Sequence, residues 1–136
     1  MVRGFYNESL AGGRRFAARW RMKPALLVDL DCDLYTSSVQ ALEFLLSANA
    51  LAIGTFVYYD DISWDQWRAD GAPMEEKRAH IEISERYGLE WRLLPRRPSE
   101  EFRMKGGKFV PLHWRPVFVL VGCRTGCVAN VSAVCV

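Results

Sequence analysis

The chain has 136 residues, half of them hydrophobic and a quarter charged, with 18 Lys and Arg against 16 Asp and Glu for a formal net charge of +2. These proportions exclude a disordered segment, a collagen-like repeat and a highly charged tail, and they fit one globular domain. The longest apolar stretch, residues 42–59, is interrupted by Asn49 and Gly54 and stops at Asp60, so nothing in it reads as a bilayer span.

Met1 to Arg21 carries Arg3, Arg14, Arg15 and Arg19 without an uninterrupted apolar core, which argues against a secretory leader and for a cytoplasmic protein. In that compartment thiols stay reduced, so Cys32, Cys123, Cys127 and Cys135 are read as free. The Cys123/Cys127 spacing lacks the second ligand pair that zinc requires, because His80 and His113 stand isolated.

Pro24 to Leu30 (PALLVDL) is a nearly continuous apolar run, the pattern of a strand covered on both faces. Thr36, Ser37 and Ser38 offer N-cap hydroxyls, and Val39, Leu42, Leu45, Leu46 and Asn49 follow at helical spacing. Gly54 ends that connection, and Thr55 to Tyr59 is β-branched and aromatic throughout. Strand, helix, strand predicts a right-handed crossover between parallel strands, with both carboxyl ends on one edge of a sheet. In open α/β sheets that edge binds ligands.

Ile62 to Pro73 reads as an irregular stretch in which Trp64 and Trp67 pack as a roof. A helix is predicted from Met74, with Ala79, Ile83 and Tyr87 spaced by four and Gly88 just past its end. Leu89 to Leu94 alternates like a strand, and Pro116 to Gly122 (PVFVLVG) is a second, more apolar one. The order β-α-β-α-β-loop-β predicts a layered α/β fold.

Charge is distributed unevenly. Residues 1–28 hold six basic and one acidic side chain, 29–61 six acidic and no basic, 62–94 five basic and seven acidic, and 95–136 seven basic and two acidic. The basic ends carry no nucleic-acid reader motif, and residues 95–98 read as a solvated loop, so no nucleic-acid partner is expected. The acids of the second block gather at strand ends. Asp29, Asp31 and Asp33 close one apolar run, and Asp60 and Asp61 close the other. Carboxylates crowded in this way repel one another, and a divalent cation relieves the repulsion. Oxygen-only donors favour magnesium, manganese or calcium. A bound ion of this kind makes a hydroxyl more acidic, and an uncoordinated carboxylate beside it takes the proton.

Any single aspartate here, Asp33 or Asp60 for example, is more often a helix or turn cap, but five at two adjacent strand ends favour a site. From the residues alone several readings stay open. Asp31-Cys32-Asp33 is a D-x-D triplet as in metal-dependent glycosyltransferases, and an aspartate after an apolar strand also serves phosphatases as nucleophile. A non-catalytic α/β interaction module whose aspartates only cap helices is the non-enzymatic alternative.

The longer context is more specific. The segments ALLVDLDCDLYTSSVQALEFL, IGTFVYYDDISW and EEKRAHIEISERYGLEWRLL, in that order, closely resemble the macrocin O-methyltransferase family of S-adenosylmethionine-dependent enzymes. Glu76 and Ala79 match that family's E-x-x-A helix signature, Gly88-Leu89 its entry to the next strand, and GFYNESL (Gly4 to Leu10) its opening turn. The resemblance covers roughly residues 4 to 94. It implies a partial Rossmann-like sheet of the class I methyltransferase type with helices packed on it. Residues 1–94 form a methyltransferase-like C-terminal half-domain, and 95–136 add a basic loop, an apolar strand that closes the sheet and a Cys-rich tail. It further implies that Asp31, Asp60 and Asp61 ligate Mg2+, that Asp33 is the general base, and that a sugar or other small-molecule hydroxyl attacks the sulfonium methyl of S-adenosylmethionine.

The chain departs from the family where the cofactor would sit. The family's glycine-rich turn after the first strand has no counterpart, since Gly12-Gly13 follows no strand and precedes Arg14-Arg15. The sequence therefore reads as a fragment lacking the N-terminal cofactor-binding strands, with cofactor-binding residues unassigned. A half-sheet of this kind exposes an apolar edge through which copies associate.

Overall fold

A computed structural model describes residues 4–10, 12–95, 101–103, 109–111 and 115–124. In chain order the elements are α1 (Tyr6–Ser9), α2 (Gly13–Trp20), β1 (Leu27–Leu30), α3 (Tyr35–Ser47), β2 (Phe56–Tyr59), α4 (Trp64–Arg68), α5 (Glu75–Tyr87), β3 (Leu89–Leu93), β4 (Glu101–Arg103), β5 (Phe109–Pro111) and β6 (Val117–Cys123). The expectations placed on residues 96–98, on His113 and on the tail from residue 125 lie outside the described residues.

Four strands form one mixed sheet in the order β1-β2-β6-β3, and β4 and β5 form a separate antiparallel pair. β1 and β2 run parallel, from Leu27 opposite Phe56 to Leu30 opposite Tyr59, as the crossover predicts. β6 is antiparallel to both β2 and β3. The molecule is thus an α/β protein. Among the described residues no helix is long and apolar enough to cross a membrane.

Alternation along the strands builds the core. Val28, Leu30, Val57, Tyr59, Phe118, Leu120 and Leu89 turn to one face, where they pack with Ala41, Leu42 and Leu46 of α3 and Ala79 and Ile83 of α5. Both crossover helices therefore lie on the same face. The opposite face carries Leu27, Phe56 and Val119 in one cross-strand row, none of them in a core cluster. This corrects the expectation that β1 is covered on both faces: Leu27 is 57% exposed. The doubly covered pattern presumes helices on each side of a parallel sheet, and α3 and α5 supply only one layer.

Helix ends show where local signals were overridden. Thr36, Ser37 and Ser38 lie inside α3, whose N-cap is Leu34 with no side-chain bond. Ser38 Oγ donates back to the Leu34 carbonyl, and the open start of α3 is met by Glu75, which accepts the Tyr35 N–H at 2.7 Å. A carboxylate is a stronger acceptor at a helix N-terminus than a hydroxyl. The stretch 62–73, expected to be irregular, contains α4, opened by a reciprocal capping box between Ser63 and Gln66. Gly88 ends α5 in the left-handed conformation, at φ +63°. Gly13 matters for another reason: a Cβ there would lie 2.0 Å from Ser47 Oγ and 3.2 Å from its Cβ, so a larger residue has to push Ser47 aside where α2 settles on the end of α3.

Cys32 is a free thiol. Cys123 is disulfide-bonded, a correction to the reading of all four cysteines as free. Sequence spacing does not reveal which sulfurs a fold brings within bonding reach.

Candidate functional site

The ladder between β1 and β2 continues one step past the strands, with the Asp60 N–H donating to the Leu30 carbonyl at 2.8 Å. Past that point the two chains diverge, and their acids meet. Asp31, Asp33 and Asp61 each offer a carboxylate oxygen, and the three oxygens lie within 4.8 Å of one another at the exposed edge. Asp33 occupies a left-handed conformation, φ +53°, at the centre of a tight turn closed by the Leu34 N–H on the Cys32 carbonyl. That conformation is costly for most side chains but tolerated by aspartate, and it folds the Asp33 carboxylate back toward Asp61. Neither Asp33 nor Asp60 is a helix N-cap, since those positions belong to Leu34 and Ser63.

The Asp61 carboxyl holds its proton above the ordinary carboxylate range. The main cause is its hydrogen bond with Asp33, and burial and the charges of Asp33 and Asp31 add to it. Beneath the cluster lies Glu76, only 1% exposed. One of its oxygens accepts the Cys32 N–H at 3.3 Å and the other the Asp61 N–H at 3.2 Å. Burial raises the pKa of Glu76, and these two backbone bonds pull it back down. Glu76 straps the ends of β1 and β2 together, and Ala79, fully buried, lets α5 lie close to the sheet.

Two of the flagged aspartates are placed elsewhere. Asp60 forms an ion pair with Arg115, and Asp29 accepts the Tyr58 hydroxyl at 2.7 Å. The structure thus brings Asp31, Asp33 and Asp61 together and leaves Asp60 outside the group. Consecutive residues of extended chain point to opposite sides, so Asp60 and Asp61 part at the end of β2. Arg115 and the strap role of Glu76 were not anticipated. In the sequence, Glu76 stood out only through the resemblance noted for residues 4 to 94, and nothing local pointed to Arg115.

Beside the cluster a cleft of about 420 Å³ is lined by Asp33, Asp61, Ile62, Gln66, Met74 and Glu76. Its outer wall is held by Lys77, whose Nζ donates to the carbonyls of Gln66 at 3.1 Å and Ala69 at 3.2 Å. Trp64 is buried and Trp67 packs edge-on against Phe118, so both tryptophans serve packing, as expected. Tyr35 lies under the Arg78 guanidinium at 4.2 Å and donates its hydroxyl to Glu82, which holds the hydroxyl pKa up. From α1, the Tyr6 hydroxyl reaches Cys32 Sγ at 3.9 Å, so the opening turn of the chain also borders the site.

Comparison with known proteins finds no matching family model, no matching curated protein and no matching solved structure. The chemistry of the site therefore rests on its own donors. Three carboxylates with no nitrogen or sulfur donor among them suit a hard divalent cation, Mg2+ included, and suit zinc or copper poorly.

Proposed function

We propose that this chain carries the metal and base of a Rossmann-like, S-adenosylmethionine-dependent, Mg2+-assisted O-methyltransferase acting on a small-molecule or sugar hydroxyl. One observation carries the reading: two parallel strands deliver Asp31 and Asp61 to one rim, with Asp33 turned back onto them. The resemblance of residues 4 to 94 to the macrocin O-methyltransferase family adds the reaction. Asp31 and Asp61 would hold Mg2+, and the ion would make the acceptor hydroxyl more acidic. Asp33 takes the hydroxyl proton on its carboxylate oxygen, and Glu76 keeps the two loops in register while this happens. The adjoining cleft would hold the acceptor with its hydroxyl beside Asp33. Asp60, implied as a third ligand, joins only where its Arg115 pair opens.

The link from β1 to α3 runs Asp31-Cys32-Asp33-Leu34 without a glycine, so this part of the sheet supplies metal and base and not the cofactor cradle. The cofactor's own contacts stay unassigned. Copies associate at the outer edge of β1, where Leu26 and Leu27 are exposed.

The reading is tested by Mg2+ titration followed as thermal stabilisation, together with transfer of labelled methyl. Asp33→Asn abolishes transfer and leaves Mg2+ stabilisation largely intact; equal loss of both removes the base assignment. The D-x-D glycosyltransferase reading is kept because Asp31 and Asp33 share the cluster, and binding of a nucleotide sugar in place of S-adenosylmethionine would select it. Absence of any Mg2+ effect would leave the interaction module.

A further inference from the structure

A second cleft, of about 300 Å³, opens beside α5, β3 and β6 and shares no lining residue with the acidic one. Trp67, Ile81, Trp91, Leu93 and Phe118 form its walls, and His80 lies at its base. His80 is only 5% exposed, with ring centroids of Phe118 at 4.4 Å, Trp91 at 5.2 Å and Trp67 at 5.3 Å from its own. Enclosure among aromatic rings penalises the imidazolium and lowers the His80 pKa to about 3, so the ring is neutral.

A neutral imidazole has one N–H and one lone pair, and its surroundings decide which nitrogen has which. The Tyr59 hydroxyl lies 2.8 Å from Nδ1 of His80. Tyr59 is fully buried, burial raises its pKa well above the ordinary value, and its hydroxyl makes no other hydrogen bond among the described residues. A buried hydroxyl proton needs an acceptor, so Tyr59 donates to Nδ1 and the histidine proton sits on Nε2. Nε2 has no partner among the described residues, yet no fully enclosed side-chain nitrogen or oxygen there is left unpaired, so Nε2 meets the open space of the cleft. Of the other polar groups lining the cleft, Glu85 is exposed, and Trp91 and Ser84 are already used. Trp91 Nε1 donates to Ser84 Oγ at 2.8 Å, and Ser84 Oγ donates to the His80 carbonyl at 2.5 Å.

We propose that this cleft binds a planar heteroaromatic ring bearing an in-plane hydrogen-bond acceptor, its face against the tryptophans and its acceptor on the Nε2–H of His80. Flat aromatic walls favour a flat ring, and the volume admits one or two fused rings. The unpaired donor selects for the acceptor, because a ring without one leaves that donor unmatched and dehydrated.

The test is a titration of the full chain with quinoline and with naphthalene, which has the same shape without the acceptor, followed by nitrogen-15 NMR. Quinoline is expected to bind saturably, to move the His80 Nε2 resonance and the Trp91 indole signal, and to bind at least tenfold more tightly than naphthalene. Ile81→Trp, which fills the mouth without touching the Tyr59 to His80 bond, is expected to abolish binding with an unchanged circular dichroism spectrum. Unsaturable quinoline binding, equal affinity for the two rings, or a stationary His80 resonance overturns the proposal. Because His80→Phe also removes the buried partner of the Tyr59 hydroxyl and so lowers stability, the two-ring comparison on the unaltered chain decides the outcome by itself.

Discussion

The carboxylate of Glu76 accepts the backbone N–H of Asp61 at 3.2 Å, while its second oxygen holds the N–H of Cys32. Two loops that carry like charges are thereby tied to one buried side chain. Hydrogen bonds to a charged acceptor are worth about 1.5–3 kcal/mol each. Glu76→Gln keeps the volume but turns an amide N–H toward a backbone N–H. It is expected to lower stability by about 1–3 kcal/mol in urea unfolding and to weaken Mg2+ stabilisation with it. Unchanged values for both would show that the strap does not organise the site.

The separation of Asp60 from Asp61 gives a second expectation. Asp61→Asn should remove most of the Mg2+-dependent rise in Tm. Asp60→Asn should leave that rise in place and cost about 0–1 kcal/mol, since its pair with Arg115 is partly exposed to solvent. If Asp60→Asn abolishes the rise instead, the Arg115 pair opens on metal binding and the implied ligand set of Asp31, Asp60 and Asp61 holds.

Stability should depend on pH in two opposing ways. Folded Asp61 and Glu76 keep protons above their ordinary values of 3.8 and 4.5, so the folded chain binds more protons there than the unfolded one. Stability falls as pH rises through that window, and Mg2+ cancels the fall by favouring the ionised forms. His80 acts in the other direction. The unfolded residue takes up a proton near 6.5 and the folded one only near about 3, so stability falls as pH drops below 6.5. The His80 slope approaches about 1.4 kcal/mol per pH unit. Chemical denaturation between neutral pH and pH of about 5 measures it, and His80→Phe should flatten the slope even though it lowers stability overall.

Gly13 and Ser47 should behave as a coupled pair. Gly13→Ala places a methyl group where Ser47 Oγ already lies, and an expected loss of about 1–3 kcal/mol follows from the overpacking. Ser47→Gly in the same chain should recover part of it, and a double-mutant cycle measures the coupling. Strict additivity would mean that α2 shifts away at no cost.

The sequence carried the β1-α3-β2 unit clearly, because apolar runs, helical spacing and Gly54 all agree on it, and with that unit came the meeting of Asp31 and Asp61. Gly88 was equally legible, since a left-handed helix end has few other solutions. What escaped was non-local. The partner of Asp60 comes from Arg115, far along the chain, and the cap of α3 comes from Glu75 on another helix. His80 read as an isolated histidine because its aromatic surroundings come from four separate segments, those of Tyr59, Trp67, Trp91 and Phe118. The Ser63 to Gln66 box was a local signal, present in the sequence and outweighed by the Gly and Pro that follow it.

The place of β6 between β2 and β3 bears on how the chain is made. Among the described residues β3 joins the main sheet only through β6, so Leu89–Leu93 leaves the ribosome well before that hydrogen-bonding neighbour, Val117–Cys123, has been translated. Until then the nascent chain holds two unfinished ladders, one along β2 and one along β3, each able to recruit a wrong strand. Slow translation upstream of Val117 would prolong that interval.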